Sequence, residues 1–228
     1  MNDIPNKSID LILCDLPYST TKNKWDKSID LPSLWGGYER IIKDNGCIAL
    51  FAQTPFDKIL GASNLPLLKY EWIWEKQQGT GFLNAKKMPL KIHENVLIFY
   101  KKPPIYNPQM RKGFKPYKCL SGKGSSNYGS QVQTLTENNG ERYPIDVIKF
   151  AHDKEKFHPT QKPVALLEYL IKTYTNEGDT VLDNCMGSGS TGVACVNTNR
   201  NFIGYELDEN YFNIAKQRIE NAYENSNK

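Results

Sequence analysis

The chain has 228 residues, 39% apolar and 11% aromatic, enough for one sizeable α/β domain with an insertion and too few for several ordinary domains. No apolar run approaches the ~18 residues of a membrane span, and the first five residues carry neither the basic nor the apolar stretch of a secretion signal. Cys14, Cys47, Cys119, Cys185 and Cys195 form no C-x-x-C pair and the three histidines no ligand spacing, so neither a disulfide framework nor a metal is expected. This predicts a soluble, cytoplasmic protein. The net charge is only +4, yet residues 101–162 hold twelve Lys/Arg against five Asp/Glu. That segment is +7 and the remainder −3, which points to a polyanionic partner as readily as to a solvated loop.

In chain order, Ile9 to Cys14 reads as a short buried parallel strand ending in the turn Asp15-Leu16-Pro17-Tyr18. A helix is predicted over Leu34 to Lys43, broken by Asn45-Gly46 before a strand Cys47 to Phe51. A second helix starts near Thr54-Pro55, with Thr54 as cap. Strands follow at Tyr70 to Trp74 and Asn95 to Tyr100. From Pro103 to about Phe157 no period is visible, and a structureless stretch of that length is functional or disordered. Then come a helix Lys162 to Tyr174, a strand Thr180 to Leu182, a glycine loop, a helix to about Asn197, a strand Phe202 to Tyr205 and a last helix from about Glu209. Strand–helix alternation on both sides of an irregular middle predicts an α/β fold with a doubly wound, mostly parallel sheet.

Two motifs carry chemistry. Val181 to Gly192 is strand, glycine turn and helix start, with an acid, Glu206, ending the next strand. Nineteen residues separate Gly187 from Glu206, close to the ~20 expected between a nucleotide-binding glycine loop and its ribose-binding acid. No lysine follows the glycines, which disfavours a triphosphate loop; NAD and S-adenosylmethionine both stay open. The second motif is Asp15-Leu16-Pro17-Tyr18, on the same carboxyl edge. Asp15 and the Leu16 carbonyl, fixed by Pro17, can accept hydrogen bonds from one exocyclic amine while Tyr18 stacks on its ring. Two acceptors favour a pyramidal nitrogen and stabilise charge growing there during attack. An NAD dehydrogenase leaves this element without a task.

Together these residues resemble the β-group amino-methyltransferases of DNA, in which D-P-P-Y precedes the target-recognition region and F-x-G-x-G comes last. The likeness also covers His158-Pro159-Thr160-Gln161-Lys162-Pro163, and it is strongest to small phage- and prophage-associated adenine methylases, through the stretch from Thr20 to Asp26. The resemblance implies a Rossmann-like methyltransferase fold in circularly permuted order. Residues 1–102 and 158–228 would form one catalytic domain, with 103–157 a target-recognition insertion. It implies S-adenosylmethionine held by Gly187 and Gly189, with Cys185 at the aromatic position, Asp183 supporting the loop and Glu206 on the ribose. Thr160 and Lys162 would lie near the methionine carboxylate, and Asp15, Leu16, Pro17 and Tyr18 would hold a base flipped out of double-stranded DNA.

Asp15 at the first position favours adenine N6 over cytosine N4, and a catalytically impaired DNA-binding protein is the rival from another class. Direct transfer is expected, with no Cys14 or Cys185 nucleophile. A homodimer and a cognate restriction endonuclease are further partners the resemblance allows, and a bacterial, phage or mobile-element origin fits it. Leu16 and Cys185 depart from the family pattern. So does the short stretch before Ile9, which predicts either an upstream start of the natural frame or a partner covering one sheet edge. In the basic middle, lysines would meet phosphates, and Asn107, Gln109, Arg111, Asn127 and Gln131 are candidate base readers. Many of Tyr106, Phe114, Tyr117, Tyr128, Tyr143, Phe150 and Phe157 are expected to form a small core of that region.

Overall fold

A computed structural model of the chain describes residues 1–18, 29–120, 124–125, 129–130 and 132–226. Thr20 to Asp26, Asn127, Tyr128 and Gln131 lie outside the described residues. Two compact units emerge, Met1–Asn107 with Asp146–Lys228, and Pro108–Ile145.

The first unit is built on β1 (Ile9–Asp15), α1 (Leu31–Ile41), β2 (Ile42–Ala52), α2 (Phe56–Ser63), β3 (Leu68–Thr80) and β4 (Lys91–Phe99). The second unit holds β5 (Tyr117–Leu120), β6 (Gly124–Ser125), β7 (Gly129–Ser130) and β8 (Leu135–Asn138). The first unit resumes with β9 (Val147–Lys149), α3 (Val164–Tyr174), β10 (Thr180–Asp183), α4 (Ser190–Asn197), β11 (Asn201–Gly204) and α5 (Glu209–Ser226). Its sheet has the order β11-β10-β1-β2-β4-β3-β9, and only β4 runs against the rest.

Every second side chain of β1 faces each way, and both sets are buried. Leu11 and Leu13 meet Leu166, Leu170 and Ala194 from α3 and α4, whereas Ile12 and Cys14 meet Trp35, Tyr38 and Leu60 from α1 and α2. Helices on both faces explain why the strand reads as an unbroken apolar run rather than an alternating one. On the α3 face the Tyr174 hydroxyl accepts the Trp72 indole N–H at 2.5 Å and lies 2.7 Å from the Tyr70 hydroxyl.

Four details differ from the sequence expectation. α1 starts and ends earlier, because Ile42 takes extended backbone and Lys43 to Gly46 form an irregularity within β2: Ile9 pairs Ile42, yet Leu11 pairs Cys47. Thr54 does not cap α2; its hydroxyl donates to the Asp57 carboxylate at 3.2 Å. β3 runs on to Thr80, six residues past Trp74, and β9 joins the sheet out of the stretch expected to be irregular. The compact second unit is therefore narrower than 103–157: Asn107 is tied to the end of α3 through Lys172 and Thr175 carbonyls, and residues from Asp146 onward belong to the sheet unit.

Among the described residues of the second unit the rings do not form the expected small core. Phe114, Tyr117 and Tyr143 are exposed, and Arg142 lies over the Phe114 and Tyr117 rings at 5.3 and 4.5 Å. Arg111 lies over Phe114 at 5.2 Å. Phe150 packs instead on the main core. Two short ribbons cannot bury rings on both faces, so guanidinium stacking takes that place. Among the described residues no helix is long and apolar enough to cross a membrane.

Replacing Tyr174 by Phe should leave the buried Trp72 N–H without its acceptor and cost about 1–3 kcal/mol, read as a lower urea midpoint; an unchanged midpoint would show that this hydrogen bond does not tie α3 to the sheet.

Candidate active site

Parallel pairing sets the geometry. Leu11 and Ile12 of β1 lie beside Val181 and Leu182 of β10, and Thr180 to Asp183 lie beside Asn201 to Gly204 of β11. Three strands thus end together, delivering the Asp15 turn, the glycine loop and Glu206 to one rim. This is the crevice side of an open α/β sheet.

On the cofactor side, Asp183 is buried and braces the loop. Its carboxylate accepts the Cys185 N–H at 3.0 Å and the Thr191 hydroxyl at 2.6 Å. Burial pushes its pKa up to about 6, against the hydrogen bonds from Thr191 and Cys185. Gly187 and Gly189 both have positive φ, 50° and 78°. A side chain at Gly189 would strike Ala215 of α5 at 2.7 Å, whereas one at Gly187 would meet nothing nearer than His158 at 4.0 Å. Gly189 therefore serves close packing and Gly187 an open rim. Glu206 accepts the Gly187 N–H at 2.9 Å and the N–H groups of Leu207 and Asp208 at 2.8 and 2.9 Å. An acid aimed across an open glycine loop fits the ribose and backbone contacts of an adenosine cofactor.

Cys185, at the aromatic position, packs with Ile203 and Tyr205 against the core on the α1 face. Cys14 is buried beside it, and burial, then Cys185 and Asp183, raises its thiol well above the ordinary value. A thiol in that setting is inert.

On the amine side, Asp15 ends β1 and Tyr18 donates to its Oδ1 at 2.5 Å. The Tyr18 ring stacks on Phe56, 5.3 Å between centroids. Leu16 is buried with the α1-side core, which anchors the turn where the family pattern has a rigid proline. The other Asp15 oxygen is held by Lys162. Lys162 is only 8% exposed; it also pairs with Glu94 at 3.3 Å and lies over the Phe51 ring at 5.1 Å. Glu94 in turn is bonded by Lys76. The result is a row of alternating charge, Lys76, Glu94, Lys162, Asp15, buried at Glu94 and Lys162 and partly exposed at Asp15. Burial alone would raise Glu94, but the Lys162 and Lys76 ammoniums outweigh it and hold its pKa at about 2.

Lys162 is thus paired with both Asp15 and Glu94. Thr160 is exposed, its hydroxyl 3.0 Å from His158 Nδ1. His158 lies against Gly187 and packs on Tyr211, ring centroids 4.4 Å apart. Burial lowers its pKa while Asp15 and Glu206 both pull the other way, so the imidazole faces carboxylates from both halves of the rim. Glu94, Lys76 and His158 escaped the sequence reading. His158 opens the motif quoted above, but nothing near Glu94 marks it. Among the described residues no cluster of three or more His, Cys, Asp or Glu side chains could hold a metal.

A glycine loop facing Glu206 and the Asp15-to-Tyr18 turn share one rim of a mostly parallel sheet, an arrangement that fits the S-adenosylmethionine-dependent, Rossmann-like class of methyltransferases. Comparison with known proteins narrows this. The model of the N6/N4 DNA methylase family matches residues 9–217. Type II methyltransferase M.HpaI of Haemophilus parainfluenzae is 29% identical over 98% of this chain and 72% of its own length. DNA adenine methyltransferase YhdJ of Escherichia coli K12 is 27% identical over 97% of this chain and 80% of its own. The crystal structure of the M1.HpyAVI–SAM complex superposes with a TM-score of 0.63 at 28% identity, covering 92% of this chain and 88% of that one. The chain belongs to the N6/N4 DNA methylase family, and S-adenosylmethionine is its cofactor.

Glu94→Gln should remove the carboxylate between two buried ammoniums and cost about 3 kcal/mol in urea titration at neutral pH. Glu220→Gln, at the exposed pair with Lys216, should stay within about 0.5 kcal/mol; equal effects would show that the row carries no stability.

Asp183 binds its proton more tightly folded than unfolded, so its stabilising contribution is present at low pH and is lost as pH rises from about 4 through 6. Against Asp183→Asn, the wild type should therefore lose up to ~3 kcal/mol across that window and then level off. A flat difference curve would mean that the carboxylate is not desolvated.

Proposed function

We propose that the enzyme transfers a methyl group to the N6 amine of adenine in DNA, with Asp15, Leu16, Pro17 and Tyr18 forming the amine site and Asp183, Cys185, Gly187, Gly189 and Glu206 the cofactor site. The observation that carries this reading is the Asp15 carboxylate, held between Tyr18 and Lys162 one strand away from the Gly187–Glu206 cradle. An aspartate at the first position favours adenine, as the motif resemblance implies, and YhdJ is named an adenine enzyme.

When bound, S-adenosylmethionine supplies an electrophilic methyl group. The rest is this chain's work. Asp15 and the Leu16 carbonyl draw the amine hydrogens out of the ring plane, so that the nitrogen lone pair is less delocalised and points at the methyl. Asp15 also offsets the positive charge that grows on nitrogen, and the surplus proton leaves through its carboxylate. Tyr18 stacks against the base, and Phe56 backs its ring. Lys162, neutralised by Glu94, keeps Asp15 in place. Thr160 and His158 stand at the exposed rim beside Gly187, on the cofactor side. Residues 108–145, with Arg111 and Arg142 stacked on Phe114 and Tyr117, are the target-recognition unit. Asn107 is committed to α3 and leaves the set of base readers. A cytoplasmic enzyme on double-stranded DNA fits all of this.

Incubation with tritiated S-adenosylmethionine and mixed DNA, followed by digestion to nucleosides, should place the label in N6-methyladenosine. Label in N4-methylcytosine would give the reaction to the other amine, and no label with DNA still bound would make the chain a binding module. Asp15→Ala should lower turnover at least a hundredfold, on the scale of one lost transition-state hydrogen bond, with cofactor affinity nearly unchanged; retained turnover would refute the amine site.

A further inference from the structure

β3 and β4 continue past the catalytic rim. Asp15 lies beside Phe51, Phe51 beside Val96, and Glu94 beside Trp74. The stretch from Lys76 to Ile92 therefore runs on past the last paired residues of β1, β2 and β9, and the base of this hairpin is the Glu94 that pairs with Lys162. Past an irregularity in β3, Thr80 pairs with Lys91, three residues beyond Glu94, a reach of ~10 Å at ~3.3 Å per residue before the tip begins, already more than the ~8 Å depth of a DNA groove.

The hairpin is built, not ragged. Its tip is a 3-10 turn, Phe82–Asn84, in which Asn84 N–H bonds the Gly81 carbonyl at 2.9 Å and Lys87 N–H the Asn84 carbonyl at 2.8 Å. What it shows to solvent is unusual. Leu83 is fully exposed and Phe82 is 69% exposed, with Lys86 and Lys87 exposed beside them. No Asp or Glu occurs between Lys76 and His93. Two large apolar side chains at the end of a lysine-bearing arm contribute nothing to the core, and exposed apolar groups set among cations mark a binding surface for an anion that also has an apolar interior.

We propose that this hairpin grips duplex DNA at the catalytic rim. Lys86 and Lys87 contact phosphates, and Phe82 and Leu83 enter the base stack as the wedge that fills the gap left by the target nucleotide. The inference rests on membership of the DNA methylase family and adds an element outside the 108–145 unit. Apolar wedges between base steps are a known way to open a duplex, and an enzyme acting on a base amine must displace that base. A second copy of the chain fits less well, since a two-fold contact centred on the tip would set Lys86 and Lys87 against their own copies.

The test uses the full chain and duplexes bearing the site that mapping of labelled DNA defines. Phe82→Ala with Leu83→Ala should lower kcat at least tenfold on the paired duplex and less than threefold when the target base is mispaired, because the mispair is already partly unstacked. Lys86→Ala with Lys87→Ala should flatten the slope of log Kd against log salt by about two units. An equal wedge defect on both duplexes, or an unchanged slope, would overturn the proposal. So would a wedge variant that loses self-association but keeps its turnover, which would make the tip an oligomer contact. Failure of the wild type to label any duplex would instead refute the methylation reading, while the lysine arm still reports on DNA contact without turnover.

Discussion

The site depends on one constraint, the side-by-side parallel pairing of β1 with β10. Parallel strands put like ends together, so two turns about 170 residues apart in sequence open on one rim. One turn begins with a carboxylate and ends in a ring, and the other leaves amide groups and Glu206 around an open glycine. Both strands are buried on both faces, which locks their register: a slip by one residue would send apolar side chains of β1 toward the wrong helices and turn Asp15 away from the rim.

The second organising feature is electrostatic. Behind the partly exposed Asp15, three charges, Lys162, Glu94 and Lys76, are largely withdrawn from solvent. Taking them out of water is costly, and the row persists only because each ion has an opposite neighbour. The same arrangement serves the chemistry. An isolated aspartate at a strand end would swing freely; this one is held by Tyr18 on one oxygen and Lys162 on the other, with Phe51 and Phe56 behind them. Lys162 comes from the motif just ahead of α3, so the segment that leads into that helix also holds the Asp15 carboxylate.

The basic middle of the chain divides into parts with different physical roles. Residues 108–145 are short ribbons too small for an apolar core, and they order themselves through arginine stacking and the hydrogen bonds of Asn138. The stretch after Ile145 supplies β9 and Phe150 to the main sheet. A surface rich in cations suits a phosphate backbone.

Much of this was legible in the sequence because it is local. Apolar runs of strand length, proline and glycine punctuation, and the spacing from Gly187 to Glu206 announce a doubly wound sheet with a nucleotide loop and an amine-binding turn, each within a few residues. Long-range electrostatics left no such trace. Glu94 is a lone acid near the start of a strand, and only folding brings it between Lys76 and Lys162; the motif around Lys162 points that lysine to the cofactor, and nothing along the chain pairs it with Glu94. β9 escaped notice because three residues cannot display a period, and the rings of the basic segment looked like core because composition does not say how much surface two short ribbons can cover. Which residues share a strand or a turn is written along the chain. Which charges face one another across the rim is decided by packing, since a charge finds its buried partner by distance in space and not in sequence.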